Sequence, residues 1–153
     1  MSDLFTSERK SGFESYHDQP EYLLAYGLFY FPQTFVRTQM ILKELLHYRK
    51  HPLPTDRPLR VLDVGAGTVA ATFALTHELG KTHQLNIEAV DLSSKSLDYL
   101  KKISQEFSHL WPQTLFATRT DKIENLPHSI KSKTYDIILA SFSLNEAFYD
   151  KDD

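Results

Sequence analysis

The stretch Arg60-Val-Leu-Asp-Val-Gly-Ala-Gly-Thr68 decides the predicted fold of this chain. An apolar run ends in an acid, passes through two glycines and enters a helical stretch. A second apolar run, Ile87-Glu-Ala-Val-Asp-Leu-Ser93, again ends in an acid. This order predicts strand, glycine turn, helix and strand, the first half of a nucleotide-binding α/β sheet. Glycines let the backbone turn sharply close to a ligand, and a helix start offers free N–H groups.

Two kinds of nucleotide ligand are compatible with the glycine turn. Gly65-Ala-Gly-Thr-Val-Ala70 fits the dinucleotide pattern G-x-G-x-x-A. An acid at the end of the second strand, here Asp91, can accept both hydroxyls of a ribose in either case. Two features favour a different ligand: Asp63 can face a cationic amino-acid moiety, and Asp91 is followed by Leu-Ser-Ser and an amphipathic helix. The ordered pair D-x-G-x-G and V-D-L-S resembles the motifs of class I S-adenosylmethionine-dependent methyltransferases, which implies S-adenosylmethionine as the cofactor. A dinucleotide-binding domain is the alternative.

Composition is that of one α/β domain with a core of ordinary size. The chain has 153 residues, of which 41% are hydrophobic and 24% charged. The absence of cysteine excludes disulfides, thiolate nucleophiles and Cys-ligated metals, and we predict no metal site. No apolar stretch has membrane-spanning length, so we expect no membrane association and a cytoplasmic location. The net charge of −3 gives no overall attraction for nucleic acid.

A proline-rich stretch, His51–Pro58, divides the chain into two predicted regions. Residues 1–58 form an N-terminal helical region and linker, in which a helix from Glu21 to Tyr30 is interrupted by Pro32 and a second helix runs from Thr34 to Tyr48. Residues 59–153 form the Rossmann-like domain. Its helices are expected from Thr68 to Leu79 and from Ser93 or Ser94 onward. Its four mainly parallel strands are predicted at Leu59–Val64, Leu85–Val90, Thr114–Thr118 and Tyr135–Ala140.

The predicted sheet is only part of the fold that it resembles. Class I methyltransferases usually have seven strands, and the resemblance places Tyr135–Ala140 in the middle of that sheet. Here the outer edge of this strand would have no partner, and exposed strand edges favour association. We therefore predict either a homodimer that buries the region around Tyr135–Phe148 or association with a missing C-terminal half.

Three segments narrow the resemblance to one branch of the superfamily. They are a tyrosine-rich helix at Tyr22–Arg37, the turn Leu62-Asp-Val-Gly-Ala-Gly67, and Tyr135-Asp-Ile-Ile-Leu-Ala-Ser-Phe-Ser-Leu-Asn-Glu146. Together they resemble the methyltransferase-like proteins associated with the small ribosomal subunit of mitochondria and their bacterial relatives. The resemblance implies rRNA methylation or assembly, with the small subunit or rRNA as partner. A catalytically inactive interaction module on the same fold is the alternative.

Family members commonly carry a further glycine where this chain has Val69. A β-branched side chain tolerates positive φ poorly, so cofactor binding and activity depend on how the turn accommodates Val69.

The candidate site residues follow the predicted strands at their carboxyl ends. Asp121 follows the third strand, where such folds hold the adenine amino group, and a turn-forming role is the alternative. Asn145 and Glu146 are the catalytic candidates because they lie beyond the fourth strand, where methyltransferases face their substrate. Glu146 alternatively serves the first turn of a helix. The predicted cofactor-binding residues are Asp63, Gly65, Ala66, Gly67, Asp91, Leu92, Asp121 and Ser141.

Overall fold

The computed structural model describes residues 20–130, 134–141 and 143. Its sheet contains four parallel strands in the order β3-β2-β1-β4. The strands are β1 (Leu59–Val64), β2 (Leu85–Asp91), β3 (Thr114–Thr120) and β4 (Ile137–Leu139). The helices are α1 (Pro20–Tyr48), α2 (Ala70–Leu79), α3 (Ser94–Glu106) and the short α4 (Leu126–Ser129), with single 3₁₀ turns at Ser108–Leu110 and Ile123–Asn125.

The predicted partial α/β sheet with an N-terminal helical extension is confirmed. Strand β1 pairs with β2 over its whole length and with β4 from Val61↔Ile137 to Asp63↔Leu139. Because the strands are parallel, their carboxyl ends meet at one edge, which places Asp63 beside the ends of β2 and β4. Among the described residues, β4 has no strand on its outer side.

Apolar packing differs between the two faces of the sheet. On one face, α1, α2 and α3 bury a continuous core that includes Leu42, Leu75, Phe73 and Leu100. On the opposite face, the buried cluster is smaller and is closed by Leu126 of α4. The sheet is therefore well covered on one side and only partly covered, near its carboxyl edge, on the other.

Strand β4 is shorter than predicted, since it spans Ile137–Leu139 instead of Tyr135–Ala140. The residues before it make side-chain contacts that anchor the strand. Asp136 accepts two hydrogen bonds from the Arg57 guanidinium, at 2.8 and 2.7 Å, and a third from the Arg60 N–H at 2.9 Å. The Arg57 guanidinium lowers the pKa of Asp136 to about 2. This ion pair holds the residue before β4 against the linker that precedes β1.

The predicted interruption at Pro32 is wrong, because α1 continues through it as one helix from Pro20 to Tyr48. Proline removes one backbone donor and costs about 3 kcal/mol inside a helix. Contacts on both sides of Pro32 offset this cost, since Phe31 packs against Phe73 and Phe35 against His77. The side chain of Gln33 also donates to the Phe29 carbonyl at 3.0 Å, in the turn that proline weakens.

Candidate functional site

The glycine turn between β1 and α2 is held against the end of β2. The N–H groups of Gly65 and Ala66 both donate to the Val90 carbonyl, at 2.8 and 3.0 Å. Gly65 and Gly67 have φ values of +66° and +51°, in the left-handed region that glycine adopts without penalty. The predicted turn residues therefore lie together at the carboxyl edge of the sheet, in the conformation that explains their identity.

Val69 also adopts a positive φ, of 59°, at the N-cap of α2. Its side chain is fully buried and packs in the cluster that contains Phe73 and Leu97. The left-handed conformation costs about 1–2 kcal/mol for such a residue, and burial of a valine side chain contributes about 1.5–3 kcal/mol. Val69 therefore fills the core beneath the turn, and the turn keeps its shape without a third glycine.

Asp91 ties the glycine turn to the next helix. Its Oδ2 accepts the Gly67 N–H at 2.7 Å, and its Oδ1 accepts the Ser93 N–H at 2.8 Å. The Ser93 hydroxyl in turn caps α3 by accepting the Ser96 N–H at 3.2 Å, which confirms the predicted helix start. Leu92, between them, leaves 60% of its surface exposed and presents an apolar side chain at the strand end.

Asp63 is buried under the turn, with 1% of its surface exposed. Its Oδ2 accepts the Thr72 hydroxyl at 2.5 Å, and its Oδ1 is buried without a hydrogen-bond donor among the described residues. Burial raises the pKa of Asp63 to about 6, and the charge of Asp91 adds to this, although the Thr72 hydrogen bond opposes it. A buried acceptor of this kind is stabilised when a cationic or N–H donor reaches it.

Asp121 is engaged in its own turn. Its Oδ1 accepts the Lys122 N–H at 2.8 Å and the Asn125 side-chain amide at 2.9 Å. Its Oδ2 accepts from Arg119 at 2.8 Å. The Asn125 hydrogen bond is the main reason that the pKa of Asp121 is lowered. These contacts match the turn-forming alternative, while the Asp121 N–H, which donates to the Asp91 carbonyl at 3.1 Å, keeps the residue beside the end of β2.

A network of side-chain hydrogen bonds that sequence reasoning missed extends from Asp121 across the partly covered face of the sheet. Arg119 donates to Asp121 and, at 2.9 Å, to Glu88 on β2. Glu88 also accepts the Tyr135 hydroxyl at 2.8 Å. Burial and the Glu88 hydrogen bond raise the pKa of Tyr135 to about 12, so the phenol remains a donor. The sequence signal for this network was the charge of Glu88 between the apolar residues Ile87 and Ala89.

The segment after β4 is described in part. Ser141 is partly buried just beyond the strand, whereas the catalytic candidates Asn145 and Glu146 lie outside the described residues. Ser143, which was not among the predicted site residues, is buried and donates from Oγ to the Val64 carbonyl at 2.6 Å. Small hydroxyl residues after an apolar strand were the available signal.

The part of the chain that the structure describes contains no group of three or more His, Asp or Glu side chains arranged to hold a metal ion. Within the same residues, no helix combines the length and hydropathy that crossing a bilayer requires.

Comparison with known families supports the predicted resemblance. The model of the mitochondrial small ribosomal subunit Rsm22 family matches residues 20–153. A direct search of curated proteins gave no match.

One solved structure with a similar fold and a second, weaker match are described as methyltransferases. A protein from Methanococcus maripaludis, assigned to the S-adenosyl-L-methionine-dependent methyltransferases, superposes with a TM-score of 0.56 at 19% identity over 90% of this chain. The CurJ carbon methyltransferase matches with a TM-score of 0.49 at 21% identity over 81% of this chain. This chain spans 54% of the first protein and 31% of the second. The first likeness establishes a Rossmann-like methyltransferase fold, present in part.

Proposed function

The chain belongs to the mitochondrial small ribosomal subunit Rsm22 family, and from this membership we propose that it binds S-adenosylmethionine and acts on the small ribosomal subunit. Its role there would be rRNA methylation or subunit assembly. The methyltransferase-like character rests on the family and on the Rossmann-like fold. The ribosomal link rests on the family alone.

The observation that carries cofactor binding is the buried Asp63 carboxylate at the glycine turn. S-adenosylmethionine contains an ammonium group, and the Oδ1 atom of Asp63, which has no donor among the described residues, fits a cationic donor of that kind. The same buried charge would be hard to account for in a purely structural turn, because burial without a full set of hydrogen bonds is costly.

The neighbouring residues fit the remaining parts of the cofactor. Asp91 uses one lone pair on each carboxylate oxygen for a backbone N–H, which leaves acceptor capacity for two ribose hydroxyls. The exposed Leu92 offers an apolar surface for an adenine face. At Gly67, the nearest atom to a built Cβ is the Gly65 carbonyl oxygen at 3.8 Å, so a ligand has room to approach the backbone.

When bound, the cofactor supplies an electrophilic methyl carbon on a positively charged sulfur. Transfer requires chiefly that the acceptor's lone pair be aligned with the methyl–sulfur bond, so these residues act by binding and orientation. No acid–base residue is required for that alignment.

Calorimetric titration with S-adenosylmethionine tests the proposal. Asp91→Ala should weaken binding by about 1.5–3 kcal/mol, the range for hydrogen bonds to charged groups. It also leaves the Gly67 and Ser93 N–H groups without their acceptor, and Asp91→Asn, whose one carbonyl oxygen can keep one of these two turn contacts, should therefore perturb the turn less. Asp98→Ala is the matched control, because Asp98 is an exposed carboxylate on α3 paired with Lys101.

A folded wild-type protein that does not bind S-adenosylmethionine would contradict cofactor binding. Co-sedimentation with purified small ribosomal subunits then tests the second candidate function, a catalytically inactive assembly module. The observation that favours this candidate is the family match, which links the chain to the small ribosomal subunit without requiring catalysis.

A further inference from the structure

Ser143 packs directly on the glycine turn, although it is distant from that turn in sequence. Its hydroxyl donates to the carbonyl oxygen of Val64, the last residue of β1, at 2.6 Å, and 6% of the residue is exposed. Val64 immediately precedes Gly65. The chain beyond β4 is therefore joined to the first residue of the glycine turn by a buried hydrogen bond.

Gly65 leaves the space that Ser143 occupies. A Cβ built on Gly65 would lie 2.2 Å from the Cβ of Ser143 and 2.9 Å from its Oγ, far inside van der Waals contact. A Cβ built on Gly67 meets nothing closer than 3.8 Å. The two glycines of the motif thus differ in their surroundings: Gly65 gives room to a side chain of the protein, and Gly67 faces space open to a ligand.

We propose that Ser143 is a positioning residue that fixes the chain after β4, including Ser141, against the glycine turn. This inference rests on the proposed function. In the proposed function, the glycine turn binds the methyl donor. The end of β4 lies next to this turn, at the same edge of the sheet. A fixed contact between them transmits the position of the turn to the segment beside it, and alignment of this kind is what methyl transfer requires.

A double-mutant cycle tests whether Gly65 is glycine because of Ser143. Gly65→Ala should weaken S-adenosylhomocysteine binding by at least about a hundredfold, and adding Ser143→Gly should recover at least about tenfold of that loss. Recovery remains incomplete because alanine at a positive φ is still strained. Absence of recovery would show that Ser143 is not the reason for glycine at position 65 and would overturn the inference.

Hydrogen exchange provides a readout that a merely structural serine would not change. In the wild type, S-adenosylhomocysteine should slow amide exchange both in residues 65–67 and in residues 139–143. In Ser143→Ala, protection should persist in the turn and be lost after β4. Ser104→Ala is the control. The Ser104 hydroxyl also donates to a backbone carbonyl, that of Lys101, but this hydrogen bond is exposed on the surface of α3.

The outcomes separate this inference from the proposed function. If the wild type does not bind S-adenosylhomocysteine, both the proposed cofactor binding and the positioning role of Ser143 are wrong. If it binds, and Ser143→Ala keeps the full protection of residues 139–143, the positioning role alone is overturned.

Discussion

At the residue scale, Asp63 combines a cost to folding with a proposed role in binding. Its carboxylate is buried, accepts the Thr72 hydroxyl and lies near a second carboxylate, that of Asp91. A buried charge that is incompletely paired destabilises the folded state. Such a residue is expected at a site where a ligand completes its interactions, and the proposed cofactor site therefore rests chiefly on Asp63.

The raised pKa of Asp63 predicts a pH dependence of stability. The pKa of Asp63 is about 6 in the folded chain, against the ordinary aspartate value of 3.8, so ionisation is less favourable in the folded state. The free energy of unfolding should therefore fall as pH rises from about 4 to about 6 and then level off. Asp63→Asn cannot ionise, and its stability relative to wild type should be greater at pH 7 than at pH 4 by about 2 kcal/mol.

Denaturant unfolding at the two pH values measures this difference, with Asp98→Asn as the exposed control. The same Asp63→Asn substitution should weaken S-adenosylmethionine binding, because the amide lacks the charge that pairs with an ammonium group. If Asp63→Asn gains no stability relative to wild type between pH 4 and pH 7 and binds S-adenosylmethionine with unchanged affinity, Asp63 is not part of the site.

At the scale of elements, α1 shows how tertiary contacts override a local rule. Pro32 is exposed in the interior of a 29-residue helix, where its ring opposes regular hydrogen bonding. Contacts with α2 extend along the helix beyond the aromatic pairs, since Gln39 donates to Glu78 at 2.8 Å and Lys43 lies 3.6 Å from the same carboxylate. Together with Phe31, which lies just before Pro32 and packs on Phe73, these contacts hold α1 against α2 on both sides of the proline.

Pro32→Ala should accordingly stabilise the protein by about 1–3 kcal/mol, because alanine restores a backbone donor and has the highest helix propensity. Since Pro32 is exposed, the substitution removes no buried packing. The control is Pro127→Ala in the first turn of α4, where proline is well tolerated and the effect should stay within about 0.5 kcal/mol. Equal effects of the two substitutions, measured by denaturant unfolding, would argue against a continuous α1.

At the scale of the whole molecule, the described residues leave one edge of the sheet unpaired and one face only partly covered. The outer edge of β4 has no strand beside it among the described residues. On the sparsely covered face, Ile138 of β4 leaves 59% of its surface exposed and Leu115 of β3 leaves 69%. Unpaired edges with exposed apolar residues favour association, either with another copy or with further strands of the same fold.

The predicted dimer through the β4 region can be tested with two matched substitutions. Ile138→Lys places a charge beside the proposed interface and should convert a dimer to a monomer. Leu115→Lys places the same charge on the same face at the other edge, and should leave the dimer intact. Sedimentation velocity on dilute samples measures both. A monomeric wild type, or equal effects of the two lysines, would contradict a two-fold interface at β4.

The amino-acid sequence by itself determined the order of elements and the place of the site. Apolar runs that end in Asp63 and Asp91, separated by a glycine turn, predict parallel strands whose carboxyl ends meet, and the structure has this arrangement. These signals are local, since each depends on residues within one strand or turn.

Only the tertiary structure decided the features that depend on residues distant in sequence. Val69 adopts a strained φ because the core beneath the turn buries it, and α1 passes through Pro32 because α2 supports both sides. Ser143 meets Val64 across a separation of 79 residues, and no local pattern encodes that contact. Such packing becomes defined only when the strands pair, because the pairing brings the glycine turn and the end of β4 to the same edge of the sheet.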